Sequence, residues 1–158
     1  MVFSRTSQYA IQALIYIATQ PLGKPILSRK AAEYLGVPTA YLAKIMQSLS
    51  KGNLLHSYRG RMGGFCLREG VGGTSLMQIV SLIEGVGFAD YCVLGLKVCS
   101  NETPCPVHEK WIPIKMKLIE LLQEHTVDHL AAAVRSGKYR ICDLPAALLG
   151  AKMAPQGL

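Results

Sequence analysis

The chain has 158 residues, half of them hydrophobic, and a formal net charge of +7. This length suits one domain, or one small domain with an appended element, and the composition is apolar enough for a packed core. No run of about 18 uncharged apolar residues occurs, so no transmembrane helix is expected. The first residues lack the apolar region of a secretory signal, which predicts a cytoplasmic protein with reduced thiols.

The positive charge is confined to the N-terminal half. Residues 1–75 contain nine Lys and Arg against two acidic residues, a net +7, whereas residues 76–158 contain eight of each sign. Segregated positive charge is expected of a nucleic-acid-binding region joined to a neutral one. The other interpretation is a basic surface that only keeps the protein soluble.

Three helices are predicted in the basic half. The first covers residues 4–20, where apolar residues recur every three or four positions. A short second helix is predicted over residues 29–35, with Ser28 as its N-cap and Gly36 as its stop, and a third over residues 39–51. Two short helices joined by a glycine-containing turn of about four residues form a helix-turn-helix.

Two strands are predicted next, over residues 54–58 and 65–68, joined by a glycine-rich loop that carries two arginines. A helix-turn-helix followed by a basic hairpin is a winged helix, whose third helix enters the major groove while the wing reaches the backbone or minor groove. Apolar residues of the third helix must face the core, so its outward residues are candidates for DNA contact, although Tyr41 could equally belong to the core. The predicted DNA-binding residues are Arg29, Thr39, Ala40, Tyr41, Lys44, Arg59 and Arg61. Of these, Arg29 and Lys44 are predicted to contact phosphates.

Helices are also predicted in the neutral half. One covers residues 75–84, and a long apolar helix covers residues 111–124, with Pro113 in its first turn. Apolar residues of the long helix cover more than one face, so we expect it to pack against its own domain and against a second copy, as a homodimer. Thr126 is predicted to cap a further short helix.

The cysteine loop, residues 92–108, reads C-x6-C-x5-C-x2-H. Cys92, Cys99 and Cys105 fall within fourteen residues, and His108 follows. Thiolates with one imidazole are ligands that iron–sulfur clusters or zinc select, and turn formers such as Asn101 suit a loop that wraps around a metal. The loop lacks the tight C-x2–4-C pair of most structural zinc sites. A thiol redox switch and simple burial of small side chains are the alternatives.

The remaining candidates give no catalytic site. No nucleophile–base pair, phosphate loop or pair of carboxylates can be picked out, so the sequence does not predict an enzyme. His125 and His129 have a metal-like spacing but are interpreted as surface histidines, because Thr126 is expected to break the helix between them. Cys66 and Cys142 are interpreted as structural.

The pattern as a whole resembles the Rrf-two family of winged-helix transcription regulators over about residues 1–135. The residues that carry the resemblance are Tyr9-Ala10, Tyr41-Leu42, Lys44-Ile45, residues 49–55, Ser57, Arg59-Gly60, Gly63-Gly64-Phe65, the three cysteines and His108-x2-Trp111. The resemblance implies a homodimer that binds a partly palindromic operator in double-stranded DNA, with the long helix as the dimer contact.

The resemblance also implies an iron–sulfur cluster. Cys92, Cys99 and Cys105 match the family's cluster-ligating cysteines, and His108 matches the fourth ligand of the IscR-like members, which is associated with a 2Fe–2S cluster. In NsrR-like members an acidic residue near the N-terminus completes a 4Fe–4S cluster. Gln8 stands at that position here and lacks the anionic oxygen, so the 2Fe–2S form is favoured and the 4Fe–4S form is the alternative. The first cysteine spacing is one residue longer than in IscR.

These inferences predict a mainly α fold with a small β-hairpin wing, a winged helix-turn-helix followed by a long dimerisation helix. Residues 1–75 are the DNA-binding region, residues 76–135 hold the cluster-binding loop and dimerisation helices, and residues 136–158 are a flexible tail. The predicted function is a repressor or dual regulator gated by the cluster. A metal-free thiol switch, or a structural zinc site on the same four residues, is the alternative.

Overall fold

Helices dominate the architecture of the computed structural model, which describes residues 3–143. The helices in that range are α1 (Arg5–Thr19), α2 (Ser28–Leu35), α3 (Thr39–Lys51), α4 (Leu76–Glu84), α5 (His108–Glu124) and α6 (Val127–Arg135), and the strands are β1 (Leu55–Tyr58) and β2 (Gly64–Leu67). Short 3-10 turns, Val71–Gly73 and Val86–Asp90, lie on either side of α4. The predicted mainly helical fold with a β-hairpin is confirmed. Most of the predicted tail, residues 144–158, lies outside the described residues.

Helix α1 is the centre of the core. Ala10, Ala13 and Leu14 are fully buried, and α1 contacts α2, α3, α4, α6 and β2. Its burial on several sides follows from small and branched apolar residues at three- and four-residue spacing. Arg135, the last residue of α6, donates from its guanidinium to the carbonyl of Ala18 at 2.7 Å and so fastens α6 to the end of α1.

Helices α2 and α3 form the predicted helix-turn-helix. Gly36 ends α2 in the left-handed conformation, with φ of 67°, and its N–H bonds to carbonyls of the last turn. The predicted stripe of α3 is buried: Leu42, Ile45, Met46 and Leu49.

The prediction of Ser28 as the N-cap of α2 is wrong. Leu27 occupies that position, Ser28 is already helical, and no side-chain cap bond forms. The physical reason is that Ile26 pairs with Phe65 in an antiparallel bridge, which leaves Leu27 alone to join the bridge to the helix.

The wing is the antiparallel hairpin β1–β2, with Leu55 opposite Leu67 and Tyr58 opposite Gly64. Ile26 exchanges two backbone hydrogen bonds of 2.8 and 2.9 Å with Phe65, so a short third segment supports β2. Gly64 has φ of 133°, and a Cβ there would lie 2.5 Å from the carbonyl oxygen of Ile26. Glycine is therefore required where these backbones approach each other.

Helix α5 begins three residues earlier than predicted. The N–H of His108 bonds to the Cys105 carbonyl and that of Trp111 to the Val107 carbonyl, so the first turn forms before the tryptophan. Pro113 consequently lies in the second turn, not the first, and its nitrogen cannot donate to the carbonyl of Glu109. The correction matters because it places His108 at the start of a helix that faces the cysteine loop.

Thr126 caps α6 as predicted, accepting a hydrogen bond from the backbone N–H of His129. Beyond α6, residues 136–143 return to the body of the protein, where Ile141 and Cys142 pack against the core. Among the helices of residues 3–143, none is both long enough and apolar enough to pass through a bilayer.

Candidate metal centre and nucleic-acid interface

The cysteine loop brings the predicted thiol ligands together. The sulfur atoms of Cys92, Cys99 and Cys105 all lie within 4.8 Å of one another, and those of Cys92 and Cys105 are 3.7 Å apart. A tetrahedral centre with metal–sulfur bonds of about 2.3 Å separates two of its sulfurs by about 3.8 Å. The Cys92–Cys105 pair therefore has the spacing of two ligands on one metal, and the donor set fits a metal or cluster.

His108, the fourth predicted ligand, reaches the same place from the first turn of α5. Its side chain is only 6% exposed, and its Nδ1 lies 3.1 Å from the sulfur of Cys99. On its other side, Nε2 lies 3.0 Å from Oδ1 of Asn101. The structure thus brings all four predicted ligands together and adds Asn101, which sequence reasoning treats only as a turn former.

The environment lowers the pKa of the Cys92 thiol and raises that of the Cys99 thiol. Desolvation raises the pKa of Cys92, but hydrogen bonds from the N–H groups of Leu94 and Leu96 and from the thiols of Cys105 and Cys99 outweigh it, so the pKa is lowered. The N–H of Cys105 lowers the pKa of Cys99, but desolvation and the neighbouring thiols of Cys105 and Cys92 outweigh it, so the pKa is raised. Cys92 is therefore the more readily ionised of the two, and the thiolate is the form that binds metals or reacts.

Polar contacts hold the loop in this shape. The hydroxyl of Ser100 accepts hydrogen bonds from the N–H groups of Glu102 and Thr103, both at 3.3 Å, closing a tight turn after the second cysteine. The indole N–H of Trp111 donates to the carbonyl of Tyr91 at 3.2 Å and fastens the start of the loop to α5. The ligands thus converge because both ends of the loop meet one face of α5.

The predicted DNA-binding residues lie on the surface, and all seven are exposed. We call α3 the recognition helix, and Thr39, Ala40 and Tyr41 form its first turn. Arg59 and Arg61 lie in the loop of the wing. This arrangement suits a helix in the major groove and a wing beside it.

Tyr41 is neither a core residue nor a freely exposed one. It is 37% exposed, its hydroxyl lies 2.8 Å from Oγ1 of Thr6, and its ring packs edge-on against Tyr9 at 5.9 Å. The first turn of the recognition helix is therefore attached to the N-terminal turn of α1.

Two further cations beside the wing are absent from the sequence predictions. Lys24 and Lys30 line a groove of about 300 Å³ together with Arg61. The excess positive charge of residues 1–75 indicates that Lys24 and Lys30 could belong to the DNA-binding surface. Charge alone, however, does not show which cations lie on the same face of the protein.

Comparison with known proteins gives consistent matches. The family model Rrf2, described as Iron-dependent Transcriptional regulator, matches residues 3–133. A relative from Aquifex aeolicus, named as an HTH-type transcriptional regulator, is 30% identical over 132 residues, which cover 82% of this chain and 91% of the relative.

Solved structures show the same fold. CymR, the global cysteine regulator of B. subtilis, matches with a TM-score of 0.67 at 24% identity, over 83% of this chain and 96% of that chain. IscR of T. potens matches with a TM-score of 0.66 at 23% identity, over 87% of this chain and 90% of that chain. The chain therefore belongs to the Rrf2 family, and it is a DNA-binding transcriptional regulator with a winged-helix fold and not an enzyme.

Proposed function

We propose that this regulator is a cytoplasmic homodimer whose affinity for its operator is gated by an iron–sulfur cluster on the cysteine loop. The carrying observation is that three cysteine sulfurs converge within 4.8 Å beside the buried imidazole of His108. The iron-dependent description of the family and the likeness to IscR support the same proposal.

Cys92, Cys99, Cys105 and His108 would hold the cluster. When bound, an iron–sulfur cluster would supply a redox centre whose potential depends on the cluster type, its net charge, hydrogen bonds to its sulfurs and solvent exposure. The 2Fe–2S form is favoured because an imidazole is already at hand beside the thiols, while Gln8 offers no anionic oxygen for a 4Fe–4S form.

The operator would meet the basic half of the chain. We assign Thr39, Ala40 and Tyr41 to base edges at the N-terminal end of the recognition helix, because those residues enter the groove first. Arg29 and Lys44 would contact phosphates, and Arg59 and Arg61 would contact the backbone or the adjacent minor groove from the wing.

Helix α5 supports the homodimer. Ile114 and Leu121 lie seven residues apart, and therefore on one face of this helix, and are 58% and 50% exposed. Large apolar side chains grouped on one helix are expected to be covered by a second surface. Covering them with α5 of a second copy would place two recognition helices for a two-fold operator.

A route of contacts joins the cysteine loop to the recognition helix within one chain. Tyr91 packs against Phe88 at 6.0 Å, and Phe88 packs against Phe3 at 6.2 Å, just before α1. The first turn of α1 then holds Tyr41 through Thr6. Ordering of the loop by the cluster would act on this route and on the relative placing of the two winged helices, and so on operator affinity.

The test is anaerobic purification of the full chain, with iron and sulfide analysis, absorption spectroscopy and operator binding before and after cluster removal. We expect a brown protein with near-equal iron and sulfide that is bleached by Cys99→Ser but not by Cys142→Ser, a matched change outside the loop. Removing the cluster is expected to change operator affinity by about 5- to 150-fold. Equal operator affinity in both states would contradict gating.

A thiol switch is the second candidate. It is favoured by the 3.7 Å between the sulfurs of Cys92 and Cys105 and by the lowered pKa of Cys92. Oxidation by a peroxide or another disulfide would join these two sulfurs in a disulfide. The two thiols would lose two protons, and the oxidant would accept two electrons. A colourless, iron-free protein whose operator binding depends on oxidant would support this candidate, and stoichiometric zinc would support a structural zinc site.

A further inference from the structure

Both nitrogens of the His108 ring have a partner, although the ring is almost completely buried. Nδ1 lies 3.1 Å from the sulfur of Cys99, and Nε2 lies 3.0 Å from Oδ1 of Asn101. The orientation of the ring is therefore fixed by Cys99, which precedes the turn of residues 100–103, and by Asn101, which lies in that turn.

The chemistry of the partners determines which nitrogen carries the proton. Oδ1 of an asparagine is only an acceptor, so Nε2 must be the donor in that hydrogen bond. A neutral imidazole has one N–H, which leaves a lone pair on Nδ1. That lone pair points at the sulfur of Cys99 and hence toward the three converging thiols.

We propose that Asn101 is a positioning residue for the metal centre: it accepts the Nε2–H of His108 and presents Nδ1 as the ligand atom. The inference rests on the proposed metal-binding function and adds to it a residue and a ligating atom. Metal-ligating histidines nearly always donate their second ring N–H to an oxygen acceptor, which fixes the tautomer and the ring orientation.

The turn that carries Asn101 is built to keep it there. The hydroxyls of Ser100 and Thr103 are 3.2 Å apart, and the N–H of Ser100 bonds to the Thr103 carbonyl at 3.4 Å. Asn101 itself is exposed, so replacing it removes little packing. A disulfide between Cys92 and Cys105 requires no oriented imidazole, but an imidazole held beside Cys99 could also activate that thiol in a metal-free protein. The experiments below therefore measure metal binding itself.

The first experiment compares cluster lifetimes in four full-length proteins reconstituted anaerobically with ferrous iron and sulfide. Asn101→Leu removes the acceptor, Asn101→Asp keeps an oxygen acceptor, and Glu102→Gln is the control at an exposed neighbour. We expect Asn101→Leu to lose its cluster to a chelator about 10- to 100-fold faster than wild type, in line with other outer-shell partners. Asn101→Asp and Glu102→Gln are expected to stay close to wild type, and a wild-type lifetime in Asn101→Leu would overturn the proposal.

The second experiment identifies the ligating atom. Histidine labelled with ¹⁵N only at Nδ1 is incorporated, and pulsed electron paramagnetic resonance is recorded on the reduced cluster. A strong ¹⁵N coupling in wild type that weakens or splits into several populations in Asn101→Leu would support the proposal. Coupling to the unlabelled ring nitrogen, or to none, would overturn it.

Titration with Co²⁺ separates failure of this proposal from failure of the proposed function. If wild type takes up neither a cluster nor Co²⁺, metal binding is wrong and the role of Asn101 falls with it. If wild type binds Co²⁺ with the visible bands of a three-sulfur, one-nitrogen site, Asn101→Leu is expected to shift those bands and weaken binding. Identical spectra and affinities in the two proteins would refute the role of Asn101 alone.

Discussion

The winged-helix half and the cysteine loop are held in shape by different forces. In the first half, stripes of buried apolar residues from α1 and α3 pack into one core. The segment between Cys92 and Cys99 instead exposes its aliphatic side chains, including Val98 at 71%. Its backbone is held by a hydrogen bond of 2.9 Å from the Gly95 N–H to the Cys92 carbonyl and by contacts among the three thiols. Regions with few buried contacts open most easily. Binding of a metal or cluster is therefore expected to change the conformational order of this loop more than that of the core. We therefore expect the cysteine loop to be reordered more easily than the winged-helix half.

The largest expected effect comes from truncating the core. Leu42→Ala, at a fully buried position in α3, is expected to lower the free energy of unfolding by about 2.7–5 kcal/mol because it leaves a cavity. Val98→Ala in the loop is expected to change it by less than about 0.5 kcal/mol. Urea unfolding of metal-free protein measures both, and similar losses at the two positions would show that the loop belongs to the core.

The wing arginines test whether DNA contact belongs to the rigid half. Replacing Arg59 and Arg61 together with alanine is expected to weaken DNA binding. Loss of phosphate contacts would weaken binding to all DNA sequences alike, whereas loss of minor-groove contacts would weaken operator binding more than binding to other sequences. The slope of log affinity against log salt should fall by about 0.9 for each lost phosphate contact. Fluorescence anisotropy over a salt series measures this, with Arg140→Ala in the neutral half as the control. An unchanged slope would remove the wing from the interface.

Thr6→Val tests the route between the two regions. It removes the partner of the Tyr41 hydroxyl without adding bulk, so operator affinity with and without the cluster should become more similar. The ratio of the two affinities is expected to fall by about 2- to 30-fold, the range of 0.5–2 kcal/mol found for coupling residues. Thr19→Val, the same change at the other end of α1, should leave the ratio unchanged; equal effects would mean that the route is not specific.

The smallest effect concerns the junction between α1 and α4. Glu84 accepts hydrogen bonds from the Ser7 hydroxyl at 2.6 Å and from the Ser4 N–H at 2.9 Å. Desolvation raises the pKa of Glu84, but these hydrogen bonds from Ser4 and Ser7 outweigh it, so the pKa is lowered.

A lowered native pKa means that the stabilising contribution of Glu84 is complete above the unfolded pKa of about 4.3 and is lost as pH falls through the native value. Glu84→Gln should therefore flatten the acid side of the stability curve, by less than about 1 kcal/mol because the group is largely solvated. Unfolding at a series of pH values from neutral to acid measures this, with Glu69→Gln as the control. A steeper acid loss in Glu84→Gln would contradict the sign.

The sequence by itself determined the local elements and the chemical character of the site. The periodicity of α3 predicted which of its residues are buried, because a helical stripe depends only on spacing along the chain. In α1 it predicted one buried face, but Ile11, Ile15 and Ala18 are buried as well, because other elements pack against this helix on several sides. The three cysteines and His108 likewise indicated a candidate set of metal ligands, because the donor atom that a side chain offers is a property of each residue alone.

Only the tertiary structure decided how the ends of the elements and the site are joined. The bridge between Ile26 and Phe65 moved the N-cap of α2 to Leu27, and the loop packing moved the start of α5 to His108. The hydrogen bonds between Asn101 and His108 and between Thr6 and Tyr41 form only because the fold brings these side chains together. Such contacts have no period in the sequence, because their distance is set by the fold and not by the number of residues between them.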